Sequence, residues 1–152
     1  MTGKVRMNHA TEAIELFESG FSCAQSVFVP YAEEFNLNKE QELKLACGFG
    51  AGMGRQQKTC GAVSGAYMVI GLKHGKSTVE DNPAREKTYS MVKEFSRLFI
   101  EKNGTLECRE LLQCDLNSDE GKKYFQEYRL HANVCVKCVQ DAHEILDTLL
   151  SE

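Results

Sequence analysis

The chain has 152 residues, of which 42% are hydrophobic, and a formal net charge of −4. This length and apolar content suit one domain with a sizeable core that needs no disulfides. Acidic and basic residues are interspersed, which argues against a nucleic-acid partner and against binding to an anionic membrane surface. No apolar run approaches the roughly 20 residues of a membrane span. Because no hydrophobic stretch follows the N-terminus, we expect no secretory signal and a cytoplasmic location with reduced thiols.

Apolar residues at helical spacing predict three helices in the first third of the chain. The first ends at Gly20, and the second begins after Ser22, a candidate N-cap. Pro30 interrupts the second helix, so we expect a kink or a restart there. The third helix runs from about Asn38 to about Cys47, and Cys47 is predicted to face the core.

The helical pattern continues over the rest of the chain, after a glycine-rich segment. Four glycines between Gly48 and Gly54 end the third helix and predict a flexible connection. Further helices are predicted at about 60–75, 83–103 and 134–150, and the segments 107–112 and 122–130 are candidates for short ones. Alternating strand patterns are absent from the sequence. We therefore predict an all-α fold, with residues 1–152 forming a single domain, a bundle of about five to seven helices.

Cys60 opens a run of small residues at the start of the fourth predicted helix. At a helix N-terminus, unpaired backbone N–H groups and the helix dipole favour the thiolate. Thr59 is a candidate cap for this helix, and Lys58 and Arg55 would add positive charge nearby. The sequence therefore predicts that Cys60 is a functional, acidic thiol.

Small residues behind Cys60 recur at spacings of three and four, Gly61 and Gly65 among them. They leave one helix face almost bare, so that either a cofactor or a neighbouring helix can approach the backbone closely. We predict Gly61 and Gly65 as candidate cofactor-binding residues, and the alternative is that they serve helix packing.

The segment from Gly52 to Thr59 nearly spells a phosphate-binding loop, but Gln57 replaces its second required glycine. The segment before it reads as a helix, whereas such a loop follows a strand. Nucleotide binding is therefore not predicted here.

Seven cysteines are an odd number, so at least one stays unpaired in any intramolecular disulfide scheme. Cys135 and Cys138 form a CxxC, the spacing of many metal and redox sites, but no second CxxC completes a zinc ribbon. Cys138 shares the apolar stripe of its helix and is predicted to lie in the core, which leaves Cys135 as the better functional candidate. Cys114 receives no assignment. No histidine is predicted as a ligand, and His143 is expected on the solvent side of the last helix.

Over nearly its whole length the chain resembles the CGAxxG family of cysteine proteins, to which redox activity is attributed without an established reaction. The matching segments are Gly20–Gln25, Gly48–Gly54, Cys60–Gly65, Cys108–Leu112 and the stretch from Cys135 to Ala142. The resemblance implies four functional cysteines, Cys23, Cys60, Cys108 and Cys135, with Cys47, Cys114 and Cys138 as extras. A related cysteine-bearing module occurs in a multihaem cytochrome, which is an analogy for an iron–sulfur role. Covalent haem is excluded, because Val139 stands where Cys-x-x-Cys-His requires histidine.

Three hypotheses follow for the function. In the first, the four cysteines converge and hold a metal centre, a [2Fe–2S] cluster or zinc, for electron transfer or redox sensing with a redox partner protein. In the second, the protein is an oxidoreductase of the thiol–disulfide type, with Cys60 as nucleophile and another cysteine resolving it. In the third, it is a helical binding module whose cysteines are buried filler. The sequence does not decide whether the protein forms a homodimer, or whether two chains of such a dimer share the metal ligands.

Overall fold

The computed structural model describes residues 9–151. Eight α-helices lie in this range, and no strand longer than a single bridge does. They are α1 (His9–Glu18), α2 (Cys23–Ala32), α3 (Lys39–Cys47), α4 (Gly61–His74), α5 (Asn82–Asn103), α6 (Cys108–Leu112), α7 (Asp119–Glu127) and α8 (Val136–Leu150). A 3₁₀ turn, Glu33–Phe35, follows α2, and a π-helical turn, His131–Cys135, precedes α8. The all-α prediction is confirmed, with one helix more than the upper end of the expected number.

The start of α2 is fixed by its cap, and this places Cys23 as the first helical residue. The Gln25 N–H donates to the Ser22 hydroxyl at 3.3 Å, and the Ser22 N–H donates to the Gln25 side chain at 2.9 Å. This reciprocal capping box satisfies two N–H groups that would otherwise lack partners. The predicted caps Ser22 and Asn38 are both confirmed.

Of the kink or restart predicted at Pro30, the restart is wrong, because α2 runs continuously through this residue and ends at Ala32. A proline inside a helix removes the hydrogen bond to the carbonyl four residues earlier, here that of Ser26. Since the helix ends two residues after Pro30, only this bond is lost. The freed Ser26 carbonyl faces the buried His143 ring.

The core is centred on α2, with α1, α4 and α8 packed around it. Glycines let α4 approach α2 closely: a Cβ at Gly65 would lie 2.8 Å from the Ala24 carbonyl oxygen, and one at Gly61 would lie 2.9 Å from the Ala24 nitrogen. The small-residue face of α4 therefore serves helix packing along α2. No helix within residues 9–151 has both the length and the apolar character that a membrane crossing requires.

The predicted inward position of Cys47 is wrong, because the phase of α3 differs from the expected one. Ala46 is fully buried and Glu42 is 1% exposed, whereas Cys47 is exposed. Residues four apart share a helix face, and the next residue turns about 100° away from it. Burial raises the pKa of Glu42, and the nearby negative charge of Glu33 raises it further.

The glycine-rich segment is a hydrogen-bonded left-handed turn, not the predicted flexible connection. The helical turn Gly50–Met53 has φ of 54° at Ala51 and 68° at Gly52, and positive φ continues through Arg55. The Gly54 N–H donates to the Gly50 carbonyl at 2.8 Å. Left-handed geometry costs about 1–2 kcal/mol at each residue with a side chain, so the surrounding contacts must hold this turn in place.

His143 is fully buried, so its predicted place on the solvent side of α8 is wrong. Its ring stacks on Tyr31 with centroids 5.3 Å apart, and the Tyr31 hydroxyl donates to Asp147. The ring of His9 also stacks on Tyr31, with centroids 4.0 Å apart, and it lies 6.5 Å from the His143 ring. An aromatic stack therefore joins α1, α2 and α8 at the end of the bundle.

Candidate functional site

A cavity of about 170 Å³ lies where the N-terminal ends of α2 and α4 meet α6 and the start of α8. Five cysteines line it, and the other lining side chains are almost wholly apolar. They are Cys23, Cys60, Cys108, Cys135 and Cys138. The structure thus brings together all four cysteines that the family resemblance implies. It also adds Cys138, which the sequence placed in the core and which is both 2% exposed and part of the cavity wall.

A short backbone pairing joins the segment of Cys60 to the segment of Cys108. Thr59 and Glu107 form an isolated antiparallel bridge, in which Thr59 pairs with another segment and does not cap α4 as predicted. The Cys60 N–H donates to the Leu106 carbonyl at 2.8 Å. The Cys108 N–H donates to the Lys58 carbonyl at 2.7 Å. Because each cysteine then begins or precedes a helix, both side chains sit at helix starts on the same wall.

The left-handed turn lies between the thiols of Cys23 and Cys108. The neighbouring Cys60 thiol and burial raise the pKa of Cys23, and the backbone N–H of Ala51, which faces the Cys23 sulfur, opposes them only in part. A Cβ at Gly52 would lie 2.7 Å from the Cys108 Cβ. Strained backbone often marks functional sites, and here it forms part of the cavity wall.

The π-helical turn His131–Cys135 sets the remaining side of the cavity. Cys135 ends this turn and Cys138 lies one helical turn further on, so both reach the cavity. His131 also lines the cavity, and its ring stacks on Phe17 with centroids 4.2 Å apart. Single π-turns in helical proteins are frequent at functional sites.

Cys60 is the central thiol of the site, and it is not the acidic thiol that the sequence predicted. The neighbouring Cys138 thiol raises its pKa the most, while the neighbouring Cys23 thiol acts in the opposite sense. Burial raises the Cys60 pKa further, and the N–H of Ala62 at the start of α4 opposes this only in part. The predicted help from Lys58 is missing because that side chain is exposed and does not contribute.

The other cavity thiols also resist ionisation, and they do so partly because of one another. Burial raises the pKa of Cys108 to about 12, with the neighbouring Cys23 as the next cause. Burial, Cys23 and Cys108 raise the pKa of Cys135. Several thiolates can therefore coexist in this apolar cavity only if positive charge enters with them. A bound metal supplies that charge and deprotonates a coordinating thiol.

The spacing of the cavity thiols bears on which metal centres they could bind. Within residues 9–151, no three or more side chains of His, Cys, Asp or Glu are grouped so as to hold a metal ion. A structural zinc ion needs four ligands that converge on one point, with sulfurs about 2.3 Å from it. In an iron–sulfur cluster, by contrast, four cysteines are divided among several irons. A zinc ion and a cluster therefore place different demands on the spacing of these thiols.

Two cysteines lie outside the cavity lining. Cys47 is exposed, and Cys114 is buried beside Leu112 and Leu130. All seven cysteines are free thiols. Of the two candidate glycines, Gly61 lines the cavity, whereas Gly65 packs against α2.

Sequence reasoning missed two residues of the site. The CxxC spacing was a signal for Cys138, since residues three apart share a helix face, but its apolar neighbours favoured the core. Gln57 was noticed only as a misfit in a phosphate-loop pattern, and no pattern in the sequence shows that it is 4% exposed beside Cys108.

Comparison with known proteins finds one family model and one related protein. The family described as "Putative redox-active protein (C_GCAxxG_C_C)" matches residues 21–149, a range that contains every cysteine of the cavity. An uncharacterized protein of Archaeoglobus fulgidus is 30% identical over 106 residues, which cover 65% of this chain and 70% of that protein. No solved structure matches the chain.

Proposed function

Since this chain belongs to the C_GCAxxG_C_C family, whose description is one of redox activity, we propose that its cavity holds an iron–sulfur cluster for electron transfer or redox sensing. The observation that carries this proposal is the convergence of five cysteines on one apolar cavity of about 170 Å³. A cluster bound there would supply one-electron redox chemistry, and a redox partner protein would exchange electrons with it. We also propose a cytoplasmic location, where the thiols stay reduced.

In this proposal each ligand comes from a different element of the fold. Cys23 begins α2, Cys60 precedes α4, Cys108 begins α6 and Cys135 ends the π-helical turn. The positive N-terminal ends of the two longer helices, α2 and α4, favour the negative charge of ligated thiolates. Cys138 contacts Cys60 from the adjacent helix and is a neighbour of the ligand set. The small-residue start of α4 at Gly61 leaves room next to Cys23.

A second function, thiol–disulfide exchange, is favoured by one specific observation. Cys23 and Cys138 line the same cavity as Cys60 and influence the pKa of its thiol, so each is a candidate partner for an intramolecular disulfide. Exchange with an external substrate requires an accessible thiolate. Cys60 is only 6% exposed and its pKa is raised, so this function fits the geometry less well.

Serine substitution of single cysteines tests the ligand assignment. We expect anaerobic reconstitution with iron and sulfide to give absorption beyond 400 nm in the wild type. Cys23→Ser, Cys60→Ser, Cys108→Ser and Cys135→Ser should each lose most of this absorption, because a serine hydroxyl is a poor ligand for iron of this kind. The measurement is the visible spectrum together with iron content per chain.

Cys47→Ser is the matched control, since Cys47 is an exposed free thiol outside the cavity. This variant should bind as much iron per chain as the wild type and give the same visible spectrum. Full loading of all four cavity variants would refute the ligand assignment. A colourless wild type that instead loses two thiols reversibly on oxidation, with Cys60 in the resulting disulfide, would establish the second function.

A further inference from the structure

One residue stands between the thiol cavity and the solvent. Of the cavity-lining residues that the structure describes, His131 alone is exposed, whereas the others are buried or half-buried. Cys135, at the other end of the same π-helical turn, is half-buried. This turn therefore forms the side of the cavity nearest to solvent, and the His131 ring lies at its mouth.

The backbone of this turn is held in place by hydrogen bonds. The Val136 N–H donates to the His131 carbonyl, which closes the π-helical turn. The Asn133 N–H donates to the Arg129 carbonyl at 2.9 Å, and the Asn133 side chain donates to the Tyr128 carbonyl at 2.9 Å. The backbone of His131 is thus fixed relative to the start of α8.

The His131 side chain, by contrast, is held by a single ring contact. Its ring stacks on Phe17, with centroids 4.2 Å apart and planes 15° apart. Phe17 is 6% exposed and lines the same cavity. Within residues 9–151, no hydrogen bond or ion pair holds the His131 ring. Exposed side chains change rotamer within nanoseconds, so this ring can leave the stack without any movement of the backbone.

We propose that the His131 ring is a size-selective gate at the mouth of the thiol cavity. With the ring stacked on Phe17, the mouth admits only small molecules, and larger ones enter when the side chain turns out to solvent. This inference rests on the proposed function in one respect: the gate would keep chelators and bulky thiols away from a bound cluster. The control of access to the cysteines does not depend on which chemistry they perform.

The test compares two neutral maleimides that share one reactive group and differ in size, N-methylmaleimide and N-cyclohexylmaleimide. The ratio of their initial rates at one cysteine reports access, because the ionisation of the thiol affects both reagents equally. Mass spectrometry follows the labelling of reduced, metal-free protein at Cys135. The exposed Cys47 of the same molecule is the internal reference.

Two variants of His131 and one matched control separate the ring from its chemistry. His131→Ala removes the ring, whereas His131→Phe keeps a ring that can stack on Phe17. Because His131 is exposed, both variants should fold. Tyr128→Ala is the control, since Tyr128 is a 57% exposed ring of the same segment that pairs with Tyr124 and does not line the cavity.

In the wild type, we expect the small reagent to be favoured more strongly at Cys135 than at Cys47. His131→Ala should reduce this preference about tenfold, the change in open population that corresponds to the loss of one aromatic contact. His131→Phe and Tyr128→Ala should keep the preference of the wild type. The proposal would be overturned by equal ratios at Cys135 and Cys47 in the wild type, by an unchanged ratio in His131→Ala, or by the same loss of preference in His131→Phe.

A second readout separates this proposal from the proposed function. In reconstituted protein, a bulky chelator of ferrous iron, bathophenanthroline disulfonate, should remove iron faster from His131→Ala than from the wild type or His131→Phe. Equal rates of iron loss in all three proteins would contradict the gate in the loaded protein. A wild type that takes up no iron would refute the cluster alone, and the maleimide ratios would still decide the role of His131.

Discussion

Replacing Gly52 by alanine is expected to lower the free energy of unfolding by about 2–5 kcal/mol. Two causes add at this position. Its φ of +68° is strained for any residue with a side chain, and the new methyl group would lie 2.6 Å from the Gln57 Cα and 2.7 Å from the Cys108 Cβ. Neither neighbour can rotate away, because one is backbone and the other is the stem of a cavity thiol. Denaturation by urea under reducing conditions measures the effect.

Gly54→Ala is the matched control for this prediction. Its φ of +67° is nearly the same, but the nearest atom to an added Cβ is the Gly48 carbonyl oxygen at 3.7 Å. Gly54→Ala should therefore lower the free energy of unfolding only by the cost of the left-handed backbone, about 1–2 kcal/mol. Equal losses in the two variants would show that the contact of Gly52 with the thiol site contributes nothing. Such a result would contradict the close packing described for this wall.

Acid is expected to destabilise the protein through His143. Burial lowers its pKa to about 4, against about 6.5 for an unperturbed histidine. At pH values between these two pKa values, His143 is therefore protonated in the unfolded chain and neutral in the folded protein. This contribution to stability is fully present above pH 6.5 and is lost as the pH falls through 4, by about 3 kcal/mol in total.

The surroundings of His143 explain the direction of this shift. Neither ring nitrogen has a hydrogen-bond partner of normal geometry within residues 9–151, although the Ser26 carbonyl lies close enough to favour the charged form. Asp147 acts in the same sense and His9 in the opposite one, and burial outweighs them all. Tyr31 covers the ring face.

His143→Phe isolates this contribution, because phenylalanine keeps the stacked ring and removes the unpaired nitrogens. The variant should be at least as stable as the wild type at pH 7, and it should lose less stability between pH 7 and pH 4. His74→Gln serves as the control for removing a histidine, since His74 is only partly buried. Parallel stability–pH curves for the wild type and His143→Phe would contradict the assignment.

Much of the fold could be predicted from the sequence, because local signals determine it. Caps such as Ser22 and Asn38, and the glycine that ends a helix at Gly104, act within a few residues. Helical phase was less predictable: Cys47 and His143 were misplaced by the choice of which face each helix buries. That choice depends on neighbours distant in sequence, such as Tyr31 beside His143.

Four of the five cavity cysteines could be predicted from the sequence, whereas the protonation state of their thiols could not. The family resemblance supplied the four cysteines, and the cavity contains them all. Their raised pKa values follow from mutual contact and burial, which no local pattern encodes. The left-handed turn at Ala51 was hidden for a different reason, since glycine-rich segments permit both flexible and strained backbones. The side chain of Gln57 hydrogen-bonds to Cys114 and Leu116, partners 57 and 59 residues away.

The most direct test of the account is the count of iron and acid-labile sulfide per chain in protein reconstituted under anaerobic conditions, with zinc measured in parallel. We predict at least two irons per chain with a matching amount of sulfide, and no stoichiometric zinc, because a cluster of the proposed kind divides its cysteine ligands among two or more irons. One zinc per chain, or protein that retains neither metal, would contradict the cluster.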